Sequence, residues 1–502
     1  MKIIYLPVDE RFCTRDYFLL LAESVNINVL TPNKKDLGNK KIPADTDFIK
    51  RWLLDNSEYG DILILSIDTL LHGGLIPSRI NKLKYETLLE KLEILETLKN
   101  KGCKIYISTS VTRIPKYNSD DEEPVYWEFW GEKIRDLTLK ISENKPNILN
   151  EYDTVYKNMN FKNDIPEWYL EDFFIRRNRN FKIISKLLDL VKLNIIDFLN
   201  ITLDDNEENS LSVLESKYHE EKVLKENLQE KVSIHPGADE ASLSLLSKAL
   251  TDHFNVKPMF DIKYSEPEYK HLIPPYEGTP LFESLAEHIK SSGGIFVENQ
   301  GDITLLVNNS DKKQHIDINN KNDYKFDDNN QNKLLNYIQQ KNIKGICDIR
   351  FGNGSDDEII LKLLKKVKNW DKINYSGWNT PGNTIGTVCA YSIIQFLASK
   401  KYLKLDTSKM KRLQAIFFIE HWGYQSNVRQ ELREESKKYG CNIWTLLPAE
   451  KWAIDYSKEK LNDYKEIVEN NMNQIWEMEV WFPWNRSFEI GIKLKEKGDI
   501  NG

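Results

Sequence analysis

The sequence predicts an α/β protein. Its N-terminal half reads as a parallel sheet, barrel-like or open, followed by a smaller α/β domain and a mostly helical C-terminal region. Three observations carry this prediction. Short apolar runs alternate with stretches of helical period along most of the chain. The run Asp61-Ile-Leu-Ile-Leu-Ser-Ile67 is apolar on both faces, as strands covered by helices on both sides are. Charged residues follow one strand after another.

In order, Lys2 to Val8 is the first strand and ends in Asp9-Glu10-Arg11. Helix Tyr17 to Glu23, strand Ile27 to Leu30 and helix Phe48 to Leu54 follow. The Asp61 to Ile67 strand ends at Asp68, with His72-Gly73-Gly74 and Ser78-Arg79 after it. Glu86 to Asn100 is an amphipathic helix, and strand Cys103 to Ser110 leads to Arg113. From Ile114 to Arg179 the pattern lapses, which suggests an insertion over the site, with a helical piece ending at Arg176-Arg177-Asn178-Arg179-Asn180. A separate helix, Ile183 to Lys192, precedes strand Phe198 to Leu203, which ends in Asp204-Asp205. Helix Leu211 to Gln229 then leads to Val232-Ser-Ile-His-Pro-Gly-Ala-Asp-Glu240, a strand broken by Pro236-Gly237 before helix Ala241 to Leu250.

Length divides the rest. At 502 residues the chain is too long for one ordinary core. Domains over 1–265, 266–400 and 401–502 are expected, the last packing back on the site. A linker with Pro267, Pro274, Pro275 and Pro280 opens the second α/β unit, whose strands fall at Gly294 to Val297, Ile303 to Val307 and Lys344 to Asp348. The polar run between Asn308 and Asn332 reads as a surface loop.

The totals exclude some functions. A net charge of −7 lacks the basic face that nucleic-acid binding needs. Five dispersed cysteines without CxxC spacing read as reduced thiols. Met1-Lys2 runs directly into the first apolar run, and no stretch reaches membrane-spanning length. A cytoplasmic location with no membrane partner is therefore expected. Phosphate-loop, dinucleotide and Gly-x-Ser-x-Gly signatures are absent, and no cofactor is expected.

If the strands are parallel and share a sheet, the charges after them meet on one face. The candidates there are Asp9, Glu10, Arg11, Asp68, His72, Arg79, Arg113, Asp204, Asp205, Asp239 and Glu240. In Gly377-Trp-Asn-Thr-Pro-Gly-Asn383, Trp378 could stack on a ligand, with Asn379 and Asn383 as hydrogen-bonding partners. Asp239 and Glu240 suit a helix N-terminus equally well. The spacings Asp68 to His72 and His235 to Asp239 would also suit a divalent metal.

His235-Pro-Gly-Ala-Asp-Glu240 resembles the His-x-Gly-Gly-Asp-Glu signature of the β-N-acetylhexosaminidases of glycoside hydrolase family twenty. Asp9-Glu10-Arg11 is similar to that family's Asp-x-x-Arg. The resemblance implies substrate-assisted hydrolysis, with Glu240 as general acid and Asp239 orienting a 2-acetamido group. Over nearly its full length the chain also resembles a bacterial family known as domain of unknown function 4127. The carriers are Leu6 to Arg11, Leu65 to Asp68, Gly73 to Ile76, Ser78-Arg79, Asp204-Asp205, Pro236 to Glu240, Tyr276 to Gly278, Gly377 to Asn383 and Pro483-Trp484-Asn485-Arg486. That resemblance implies a shared fold and site, with Trp484 and Arg486 belonging to the same unit as the N-terminal motif, but no activity.

The expected function is a glycoside hydrolase acting on an amino-sugar or related small glycoside. Glu240 and Asp239 are its acid pair, Asp204 and Asp205 tune or replace them, and Arg11, Arg79 and Arg113 clamp the carbohydrate. A divalent-metal hydrolase or isomerase and a non-catalytic carbohydrate-binding or sensor protein are the alternatives. The sequence does not specify an oligomeric state.

Overall fold

The structure, a computed structural model, describes residues 1–144, 149, 152, 164–274, 276–311, 317–325 and 328–496. Pro275 and parts of the 114–179 and 308–332 stretches lie outside the described residues. The chain forms two compact units. The first holds Met1–Glu10, Asn28–Leu245 and Tyr276–Thr279, and the second holds Arg11–Ile27, Leu246–Pro275 and Pro280–Gly502. Apart from 276–279, the 266–400 and 401–502 stretches fall in the same unit.

The first unit is built on six parallel strands, β1 (Lys2–Leu6), β2 (Asn28–Leu30), β3 (Ile62–Ser66), β4 (Lys104–Val111), β5 (Phe198–Leu203) and β6 (Val232–Pro236). Their spatial order is β2-β1-β3-β4-β5-β6, so the sheet is open, with β2 and β6 as edges. Every residue of β3 and β5 is buried. Leu63, Leu65, Ile105, Ile107, Leu199 and Ile201 share one core with Leu88, Leu92, Leu95 and Leu98 of helix Tyr85–Asn100. Each such side chain contributes roughly 1.5–3 kcal/mol on leaving water, enough to fix which face of each strand and helix turns inward.

The separate helices expected around Arg179 and Ile183 are one helix, Glu167–Lys192. Its Arg176-Arg177-Asn178-Arg179 run is internal rather than a break. Arg177 Nε lies 2.7 Å from Glu215 Oε1, and Arg179 donates to the carbonyls of Ser78, Asn81 and Leu83 at 3.0 Å each. Buried partners thus replace the water that such residues ordinarily seek.

The second unit carries β7 (Met259–Tyr264), β8 (Ile295–Phe296), β9 (Ile303–Asn308), β10 (Ile343–Asp348) and β11 (Ile373–Ser376), all parallel, in the order β11-β10-β9-β7-β8. Helix Pro381–Ser399 has no charged residue and is buried from Pro381 to Leu397. It packs closely on β10, where a Cβ on Gly345 would stand 2.5 Å from Val388 Cγ1. Only glycine admits that approach. The described part of the 308–332 stretch includes a short 3₁₀ helix, Ile318–Asp323, rather than loop alone. Beyond residue 400 the unit is mainly helical and ends in an antiparallel ribbon, β12 (Trp476–Trp481) with β13 (Gly491–Glu496). Among the described residues no helix is long and apolar enough to cross a membrane, and all five cysteines are free and buried.

Candidate active site

In the first sheet the winding reverses at β1, which sits between β2 and β3. Open parallel sheets bind ligands in the crevice beyond the carboxyl ends of the strands at such a reversal. A pocket lies there, lined by Tyr5 and Val8 beside β1, Ser66 and Asp68 beside β3, Ser108 and Ser110 of β4, and Asp239 and Ser242. Tyr5 Oη donates to Ser242 Oγ at 3.0 Å.

Asp68 is 5% exposed, in the short helix Ile67–His72 that follows β3. Its Oδ2 and the Ser66 hydroxyl have no hydrogen-bond partner in this structure. Burial pushes the Asp68 carboxyl up to about 7, against hydrogen bonds from the Ser110 backbone and the Ser78 side chain and against the charge of Arg79. Near neutral pH it is therefore divided between its protonated and ionised forms. Asp239 lines the same pocket and is 7% exposed.

Glu240 does not line the pocket. It is fully buried, its Oε2 accepts the Ala238 N–H at 3.0 Å, and burial raises its carboxyl to about 8. Gly237 has φ +109°, and a Cβ there would meet Glu240 Oε1 at 2.3 Å, so the turn folds tightly over the carboxyl. Of the predicted acid pair, Asp239 faces the pocket and Glu240 ties down the turn. His235 donates Nδ1–H to the Pro236 carbonyl at 2.7 Å.

A family model described as a protein of unknown function, DUF4127, matches residues 3–493. The chain belongs to the DUF4127 family. No curated protein and no solved structure matches it.

The remaining predicted residues of this DUF4127 chain divide between the two units. In the first, Arg79 and Arg113 are engaged by carboxylates. Arg79 pairs with Asp204 and lies 3.5 and 3.4 Å from Glu122 and Glu123. Arg113 reaches Asp205 at 2.7 Å and Glu123 at 2.9 Å, and also pairs with Glu122. The expected clamps and the expected Asp204-Asp205 partners therefore neutralise one another, because buried guanidinium groups require counter-charges. His72 is buried, and its Nδ1 accepts from Asn81 at 2.8 Å. Asp9 and Glu10 are buried after β1, and Glu10 accepts the Lys40 N–H at 3.2 Å.

In the second unit, Trp378 offers no open stacking face. It is 3% exposed, and its ring lies parallel to His421 at 5.8 Å. Asn379 accepts the Asn353 N–H at 2.7 Å through its carbonyl, and Asn383 Nδ2 donates to Thr380 Oγ1 at 2.9 Å, closing the first turn of helix Pro381–Ser399. The motif caps a helix and packs a core. Arg11 and Arg486 both stand over the Trp484 ring, 4.5 and 4.6 Å from its centroid.

Sequence reasoning missed the hydroxyls, Tyr5, Ser66, Ser108, Ser110 and Ser242. The available signal was Ser108-Thr109-Ser110, a hydroxyl run at the end of an otherwise apolar strand.

Proposed function

We propose that this DUF4127 protein is a hydrolase of small polar glycosides that works by acid/base catalysis, with Asp68 as proton donor and Asp239 as the partner carboxylate. The observation that carries it is the buried, unpartnered Oδ2 of Asp68 in a pocket that Asp239 also lines. A carboxyl raised to about 7 keeps its proton at mildly acid to neutral pH and can deliver it to a glycosidic oxygen. Asp239 then supports the opposite charge, by activating water or, in a substrate carrying a 2-acetamido group, by orienting that amide. Hydroxyls of Ser66, Ser108 and Ser110 both donate and accept, which suits a ligand rich in hydroxyls.

The test is a panel of nitrophenyl glycosides, with and without the 2-acetamido group, assayed from pH 5 to 8 on the parent and Asp68→Asn. Turnover that declines as pH rises through about 7 and collapses in the variant supports the assignment. An unaltered Asp68→Asn rate, or no turnover of any glycoside, sinks it. Turnover abolished by chelator and restored by a divalent cation would move the protein to a metal-dependent class, and sugar binding without turnover to a binding protein.

A further inference from the structure

The residue after Asp68 has no part in the proposed reaction, yet its side chain tethers the segment that carries Asp68. Helix Ile67–His72 has six residues, too few to be stable alone, so its attachments decide where it sits. Thr69 is fully buried, and its Oγ1 donates to the carbonyls of Pro7 and Val8 at 2.6 and 2.8 Å. The Val8 carbonyl also accepts the N–H of Leu75, the first residue of helix Leu75–Ile80, at 3.1 Å. Between the two helices, the Gly74 N–H returns to the Asp68 carbonyl at 3.2 Å. The turn that leaves β1 and both helices that follow β3 are thus fastened together at Val8.

Val8 and Asp68 both line the pocket, so this fastening joins two of its walls. Neighbours in a helix face different directions, and here Thr69 turns to the end of β1 while Asp68 turns to the pocket. The Asp68 carboxyl takes its own hydrogen bonds from the Ser78 side chain, on helix Leu75–Ile80, and from the Ser110 backbone of β4, with Arg79 as the nearby charge. Those bonds last only while helix Ile67–His72 keeps its place. A valine would fill the space of Thr69 but leave two buried carbonyls without that donor. We infer that Thr69 is a positioning residue, whose hydroxyl, anchored on the Pro7 and Val8 carbonyls, holds the Asp68 carboxyl in its buried place against the pocket. The consequence for catalysis rests on the glycosidase reading, and the geometry does not.

The test compares, in the full chain, Thr69→Val, which loses the hydroxyl at equal size, with Thr69→Ser, which keeps it. Difference infrared titration reads the Asp68 carboxyl directly, its band assigned by its loss in Asp68→Asn. The parent should titrate near 7, Thr69→Val about one pH unit or more lower as the loosened helix admits water, and Thr69→Ser with the parent. In glycoside turnover at pH 7, Thr69→Val should lower kcat/KM about 5-fold or more, the fall that such a displacement gives a general acid, and Thr69→Ser should restore it. A Thr69→Val carboxyl that titrates with the parent overturns the inference. So does a Thr69→Ser carboxyl that titrates below the parent, and this arm decides the matter where the valine variant does not fold. The expected titrations with no turnover of any glycoside would remove the glycosidase reading and support this one. Turnover with an undisplaced Thr69→Val titration would remove this one alone.

Discussion

Asp68 and Asp348 stand at the carboxyl ends of parallel strands in two sheets of the same winding, and burial raises both, to about 7 and about 8. In each sheet the second strand in chain order pairs on one side of the first and the third on the other. Their surroundings differ. Asp348 accepts Asn308 Nδ2 and the Asp356 N–H at 2.8 Å each and Tyr375 Oη at 3.1 Å, while Asp356 takes Gln331 and Arg350 at 2.7 and 3.2 Å. Those strand ends are knitted together. Around Asp68 two polar atoms, its own Oδ2 and the Ser66 hydroxyl, stay unpartnered beside a pocket. A displaced pKa therefore does not mark a site. A displaced pKa beside unspent hydrogen-bonding capacity in the lining of a pocket is the stronger pointer to one.

The contrast breaks most sharply on activity. Asp68→Asn should lower kcat/KM by roughly 10²–10⁴-fold, the range for a lost general acid, while Asp348→Asn leaves it at the parental value. Equal losses would erase the distinction. Next comes pH. Asp68 and Glu240, raised from 3.8 and 4.5 to about 7 and about 8, hold protons in the folded state that the unfolded chain has released. Stability therefore falls as pH rises from about 4 to about 8 and levels off above. For Asp68 the whole fall is roughly 4 kcal/mol. Thermal denaturation at pH 5 and pH 8 should show this decline, and Asp68→Asn and Glu240→Gln should each flatten it. A variant slope equal to the parent's would refute the assignment.

Asp348→Ala leaves several buried donors unmade and should cost about 3 kcal/mol or more, read as a lower urea midpoint. An unchanged midpoint would mean the second network is not structural. Gly237→Ala, strained at φ +109° and pressed on Glu240, should cost about 1–3 kcal/mol. Smallest is Trp378→Phe. It should lower stability by about 1 kcal/mol through the lost His421 stacking and leave KM unchanged, whereas a raised KM would restore Trp378 as a ligand contact.

The strands were legible because doubly covered parallel strands are continuous apolar runs, and the polar residues that follow them mark the end where a site belongs. Ile62–Ser66 and its successor Asp68 show both. Less local facts were hidden. The Arg176 to Arg179 run reads as the end of a helical piece, and only partners far along the chain, such as Glu215, make it internal. Trp378 between Gly377 and Asn379 has the composition of a ligand loop, but its face is taken by His421, 43 residues later. Glu240 and Asp239 are neighbours in sequence, yet Asp239 lines the pocket while the turn at Gly237 folds over the Glu240 carboxyl.

The interleaving of the two units has a consequence for biosynthesis. Residues 11–27 belong with chain that is translated much later. Tyr17 donates to Glu420 Oε2 at 2.6 Å across a separation of 403 residues. At roughly 5–20 residues per second, that segment waits tens of seconds on the ribosome for its partner. No single cut separates the units, so a gene fragment ending near residue 245 would carry strands of the first sheet together with an orphaned helix of the second unit, Tyr17–Glu23. That apolar stretch therefore stays apart from the residues it packs against until the last third of the chain emerges.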